Sequence, residues 1–150
     1  MSVIPRQRSA VIVDTGPLVA LINNNDEHHA ACAEWLETIL ARRRTLVIPM
    51  PIVTEVCYLL AKTAGSGLEA MFLEELARTP AHFSLFTLGR SDFARMASLI
   101  RKYADLPLGI ADAAVVVTAE RFNTTEIATI DHRMAKVVKV NDRDPIVAVP

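Results

Sequence analysis

The sequence predicts an α/β fold built on a parallel sheet, and three observations carry that expectation. Short runs of β-compatible apolar residues alternate with longer stretches at helical spacing, the arrangement that right-handed crossovers turn into a parallel sheet. The runs are apolar throughout rather than at every second residue, as in strands buried on both faces. The first of them, Ala10-Val11-Ile12-Val13, stops abruptly at Asp14, and the turn signal Gly16-Pro17 follows. In open α/β sheets ligands bind at the carboxyl ends of the strands, so Asp14 stands where chemistry is done.

Each later element follows from local signals. Pro17 opens a short helix through Ile22, and Asn23-Asn24-Asn25 make a turn. Asp26 is placed to cap a long helix reaching about Arg44, with Ala33, Leu36 and Leu40 on one face. Leu46-Val47-Ile48-Pro49 is the second strand. A helix from Pro51 to about Ala64 ends at Gly65-Ser66-Gly67, and another runs from Leu68 to Arg78. Phe83 to Leu88 reads as a strand, Ser91 as the cap of a helix to Tyr103, and Asp105 to Gly109 as a loop. Ile110 to Phe122 is apolar nearly all round and is expected at the centre. Glu126 to Asp131 is a strand that again ends in aspartate, and Ile146 to Val149 is the last strand.

With 150 residues, 51% of them hydrophobic, the chain can bury a full core and is not disordered. Residues 10–150 read as one domain without repeats or linkers. Residues 1–9 carry Arg6 and Arg8 but no apolar stretch, and read as a mobile lead-in rather than a targeting signal. A net charge of −1 means that nucleic-acid binding has to use a local basic patch. Cys32 and Cys57 form no Cys-x-x-Cys pair and read as free thiols of a reducing compartment. No apolar run approaches the ~20 residues of a membrane span, so a cytoplasmic protein is expected.

Four acids stand where acids are costly. Asp14 and Asp131 end apolar strands of one parallel sheet, hence on the same edge. Glu55 shares a helical stripe with Ile52, Val56 and Leu59, and Asp112 shares one with Val115, Val116 and Ala119. Each alone has a plain structural role: Asp14, Asp112 and Asp131 as helix caps, and Glu55 as an ion-pair partner for Lys62 or another base. Together, with no basic neighbour on their stripes, they call for a shared cation. All-carboxylate ligation suits Mg²⁺ or Mn²⁺, whereas Zn²⁺ prefers Cys or His. The reaction class that fits is metal-assisted phosphodiester hydrolysis, in which the cation activates water and orients the phosphate.

These residues resemble the motifs of PIN-domain nucleases. Ile12-Val13-Asp14-Thr15-Gly16-Pro17-Leu18-Val19-Ala20-Leu21 resembles the opening motif and Thr54-Glu55-Val56 the second. Asp105 to Ala113 resembles the third, and Ala128-Thr129-Ile130-Asp131-His132-Arg133 the fourth. Their order, their spacing and the compact length are similar to VapC-type toxins of toxin–antitoxin pairs. The resemblance implies a three-layer α/β/α sandwich and an Mg²⁺- or Mn²⁺-dependent endoribonuclease with Asp14, Glu55, Asp112 and Asp131 as the acidic quartet. It implies supporting roles for Thr15 and Thr129 beside the first and last acids. It also implies RNA as substrate, a small antitoxin as partner, and a homodimer. Met134 stands where family members often carry an aromatic residue.

Among the remaining polar residues, Asp105 is an ordinary loop aspartate that could lean into the site, and Arg133 and Lys136 are near enough to it to touch RNA phosphate. His28 and His29 read as a solvated helix start, and Arg42-Arg43-Arg44 as a helix end interacting with its dipole. Met71 and Met96 read as core. Two rival functions remain: a phosphoacceptor or phosphatase-like domain with Asp14 as nucleophile, and a non-catalytic binding module that keeps the fold.

Overall fold

A computed structural model describes residues 10–150, so the expected lead-in over residues 1–9 lies outside the described residues. Its elements run β1 (Val11–Val13), α1 (Thr15–Ile22), α2 (His29–Ala41), β2 (Leu46–Pro49), α3 (Met50–Ala64), α4 (Ser66–Arg78) and β3 (Phe83–Phe86). Then follow α5 (Arg90–Lys102), α6 (Ile110–Arg121), β4 (Glu126–Ala128), α7 (His132–Val137), β5 (Lys139–Val140), β6 (Asp144–Pro145) and β7 (Val147–Val149). Five strands form one sheet in the order β3-β2-β1-β4-β7, and every pairing in it is parallel. The hairpin β5-β6 stands apart from it.

β1 lies in the middle because its three residues, like all of β2, are fully buried and find neighbours on both sides. Ile12 pairs with Val47 on one side and Ile127 on the other. α6 packs on β1, β2 and β4, and Ala113 to Ala119 are buried without interruption, so its all-round apolar surface is used as expected. Its small side chains let it sit close to the sheet.

Several boundaries differ from the sequence reading, each for a local reason. α2 begins at His29 rather than Asp26. The Asp26 carboxylate accepts from the His28 amide (2.8 Å) and the Asp26 carbonyl from the His29 amide (3.1 Å), so Asp26 builds a turn ahead of the helix. β4 stops at Ala128, and Asp131 lies three residues beyond it as the cap of α7. Gly67 lies inside α4, and only Gly65, with φ of 94°, breaks the chain there. α7 and the β5-β6 hairpin are too short to show a period. Met96 is core, whereas Met71 is 40% exposed.

α5 starts after Gly89, not at Ser91. The Asp92 carboxylate folds back to accept from the Gly89 amide (2.8 Å), and Arg121 of α6 places Nε 2.9 Å from its other oxygen. Asp92 is only 5% exposed, so its charge is matched where water cannot reach it. We expect Asp92→Ala to destabilise the fold by about 2 kcal/mol, because a cap and a charge-assisted hydrogen bond are lost together. Urea denaturation of the variant checks this.

Candidate active site

The parallel register decides where the acids fall. β1 and β4 run side by side in one direction, with Val13 opposite Ala128, so the residues following both strands emerge at one sheet edge. Asp14 is tied there by its amide, which donates to the Ala128 carbonyl (2.9 Å). α1 approaches the chain after β4 so closely that a side chain on Gly16 would meet Ile130 Cβ and Cδ1 at 3.2 Å. α3 contributes Glu55 and the first turn of α6 contributes Asp112. Asp14, Glu55, Asp112 and Asp131 all line one open pocket of about 430 Å³.

Two threonine hydroxyls connect this edge. Thr129 Oγ1 donates to Asp14 Oδ2 (2.9 Å) and in turn accepts from the Asp131 amide (3.1 Å). Thr15 Oγ1 donates to Glu55 Oε2 (2.7 Å), and its amide donates to Asp14 Oδ1 (2.8 Å). Both threonines are buried; the Thr15 hydroxyl serves Glu55, and that of Thr129 is nearer to Asp14 than to the Asp131 carbonyl oxygen, 3.4 Å away.

The four acids differ in how their charge is met. Burial pushes Asp14 up to about 6, against the lowering effect of its hydrogen bonds from Thr15 and Thr129, and the charges of Asp112 and Glu55 push the same way. Burial also raises Asp112, helped by the charges of Asp131 and Glu55 and opposed by the hydrogen bond from the Gly109 amide. Asp131 is held below the usual range by Arg133, whose Nε and Nη2 lie 3.2 and 3.1 Å from its two oxygens. Glu55 does not pair with Lys62, whose ammonium sits 5.8 Å above the Tyr58 ring instead.

Asp92 and Asp112 make a controlled comparison inside one molecule. Both stand three residues after a glycine at a helix start and accept from that glycine's amide, at 2.8 and 3.1 Å. Asp92 also has Arg121, and its pKa is lowered, chiefly by the Gly89 amide. Asp112 has no such arginine bond, faces the pocket, and is raised. The cap explains the position of both acids, but only Asp92 has its charge matched.

This donor set fits a hard divalent cation, being all oxygen and carrying more negative charge than nearby cations balance. The expectation of a ready-made grip is not met: among the described residues, no three Asp, Glu, His or Cys side chains are gathered in a group that would hold a metal ion as they stand. As they stand, Asp131 is bound to Arg133 and Asp112 to the Gly109 amide.

The other sequence candidates are placed less centrally. Asp105 is exposed in the turn after α5, Lys136 is exposed near the end of α7, and neither lines the pocket. Two residues that the sequence reading did not assign to the site do line it, Asp26 and His28. Both histidines stand at the start of α2 as read, with His28 44% exposed, and the correction concerns His29, whose Nδ1 lies 2.7 Å from the Ala20 carbonyl oxygen. The signal was their place one turn after the Asp14 helix, which returns the chain toward the same edge.

The family model described as "PIN domain" matches residues 11–140. The chain is 35% identical over 123 residues to Ribonuclease VapC26 of Mycobacterium tuberculosis, a match covering 82% of this chain and 87% of that protein. Among solved structures, Mycobacterium tuberculosis VapC20, described as a Sarcin-Ricin loop cleaving toxin, superposes with a TM-score of 0.72 at 13% identity, over 90% of this chain and 99% of that one. VapBC2 from Rickettsia felis, bound to a DNA fragment from their promoter, gives 0.69 at 15% identity, over 94% and 99%. At these identities the two structures establish the fold, a three-layer α/β/α sandwich.

Asp14 gives a pH dependence with a definite sign. Its folded pKa of about 6 exceeds the ordinary 3.8, so the fold favours the protonated form. That preference is complete below pH 3.8 and is lost as pH rises through about 6. At higher pH the metal-free protein therefore carries a penalty of at most about 3 kcal/mol. Asparagine keeps an acceptor for the Thr15 amide and carries no charge. In EDTA at pH 8, Asp14→Asn should melt higher than the parent, and the gap should close toward pH 4. Melting curves across that range check it.

Proposed function

The chain belongs to the PIN-domain family, and from that premise we propose that it is a divalent-metal-dependent endoribonuclease, the toxin of a toxin–antitoxin pair. The observation that carries the reading is the pocket at the carboxyl edge of the sheet, where Asp14, Glu55 and Asp112 meet with raised pKa values at Asp14 and Asp112. Asp14, Glu55 and Asp112 would hold Mg²⁺ or Mn²⁺, with Asp131 as the fourth carboxylate. When bound, such a cation supplies Lewis acidity, lowering the pKa of water and offsetting charge that develops on the phosphate.

The chain's own residues do the positioning. Thr15 and Thr129 hold Glu55 and Asp14 at fixed orientations through their hydroxyls. Arg133 keeps Asp131 ionised, and its 76% exposed guanidinium has further N–H groups for an RNA phosphate. Lys136, in the last turn of the same helix, offers a second charge to the backbone. Asp14 is 7% exposed and accepts one hydrogen bond on each oxygen, which leaves a lone pair on each for a cation.

The same proposal includes a small antitoxin partner, a homodimer and a cytoplasmic location. No helix among the described residues is long and apolar enough to cross a membrane.

The test uses the purified protein freed of any partner. With Mg²⁺ or Mn²⁺ it should cut RNA, and Asp112→Asn should lower the rate on the order of 100-fold or more with an unchanged circular dichroism spectrum. Millimolar metal should raise the melting temperature of the parent and not that of Asp112→Asn. RNA left intact by the parent under these conditions would overturn the nuclease reading in favour of a binding module.

A further inference from the structure

The acid pocket contains one nitrogen-bearing side chain among its lining residues, His28. Around it stand the quartet and Asp26. A phosphodiester backbone entering this pocket meets carboxylate charge that a cation offsets only where it sits. The phosphate oxygens on either side still need N–H or O–H donors. On the α7 side, outside the pocket lining, Arg133 and Lys136 offer them, but the lining itself supplies few. The Thr15 and Thr129 hydroxyls are donating to Glu55 and Asp14, and Arg133 faces Asp131 with two of its N–H groups.

His28 is held in place for that task. Its amide is bound by the Asp26 carboxylate at 2.8 Å, and the turn is closed by the His29 amide on the Asp26 carbonyl. His29 points back to α1, with Nδ1 2.7 Å from the Ala20 carbonyl oxygen, which ties the turn to the helix that begins beside Asp14. His29 thus anchors the turn, and His28 beside it is among the residues that line the pocket. The ring of His28 is 44% exposed, and Nε2 lies 3.4 Å from the carboxylate of Glu27, itself 86% exposed. A surface contact of this kind is weak and readily exchanged for a phosphate oxygen.

We propose that His28 is a substrate-contact residue whose ring nitrogen donates a hydrogen bond to a phosphate oxygen of the RNA at the rim of the acid pocket. The proposal rests on the nuclease reading and adds a residue outside the four matched motifs. His28 binds the backbone and takes no part in the bond-breaking step.

The experiment is steady-state cleavage by the full chain with Mn²⁺, using the fastest-cut member of a pool of short labelled RNA hairpins and single strands. His28→Ala should raise KM about tenfold while kcat stays within about twofold, because one hydrogen bond to substrate is lost without disturbing the quartet. His28→Gln, whose amide can donate from a similar reach, should recover most of that loss. Both variants should melt with the parent. An unchanged KM in His28→Ala, a fall in kcat alone, or an equal loss in His28→Gln would overturn the contact. Failure of the parent to cut any RNA would sink the nuclease reading instead, and the two failures are distinct because the second is read on the unmutated protein.

Discussion

The structure depends on a carboxylate kept out of water without a counter-charge. Asp14 ends the central strand, is 7% exposed, and is met by an amide and a hydroxyl rather than by lysine or arginine. Such an arrangement opposes folding unless something else requires it. The surrounding architecture holds it there nonetheless. β1 is fixed on both sides by parallel partners, α1 begins directly after Asp14, and Gly16 lets that helix press against Ile130. An unmatched charge kept by a packed scaffold at the carboxyl edge of a sheet marks a candidate ligand site.

The rest of the site is arranged to preserve the imbalance. Thr129 reaches Asp14 from the end of β4, and Thr15 reaches Glu55 from the start of α1, so hydroxyls orient the acids without cancelling their charge. Elsewhere the same chain matches its buried charges fully. Arg121 sits on Asp92, and Arg95 holds Glu120 through two nitrogens at 2.9 and 3.0 Å. Arginines thus pair with acids on α5 and α6 away from the pocket, while at its edge Arg133 hydrogen-bonds Asp131 and acts on Asp112 only through its charge.

Much of this was legible in the sequence because the signals were long or repeated. The apolar strands, the all-apolar α6 and the aspartates ending two parallel runs forced a sheet with acids on one edge. Glu55 and Asp112 were legible as polar breaks in apolar stripes. Their capping roles, considered one at a time, are also real: Asp14, Asp112 and Asp131 each accept from a backbone amide at a helix start. A carboxylate has two oxygens, so a cap and a ligand role coexist. What the sequence hid was local. Asp92 sits in the same glycine-led pattern as Asp112, and only the third dimension supplies Arg121. His28 was hidden because nothing in a His-His pair says which residue lies beside the pocket, and the pairing of Arg133 because its choice of partner is a matter of rotamer.

The acids share a pocket, and among the described residues no three of them are grouped so as to hold a metal as they stand. Each is instead met by the donors nearest to it. Asp131 meets Arg133 and Asp112 meets the Gly109 amide, whereas Asp14 beside the central strand has its pKa raised to about 6, chiefly by burial. The most deeply buried of the four acids is therefore the one most perturbed. A cation held here would offset the charge of a carboxylate that burial makes costly to ionise, so the surrounding fold and the cation would favour one another at this edge.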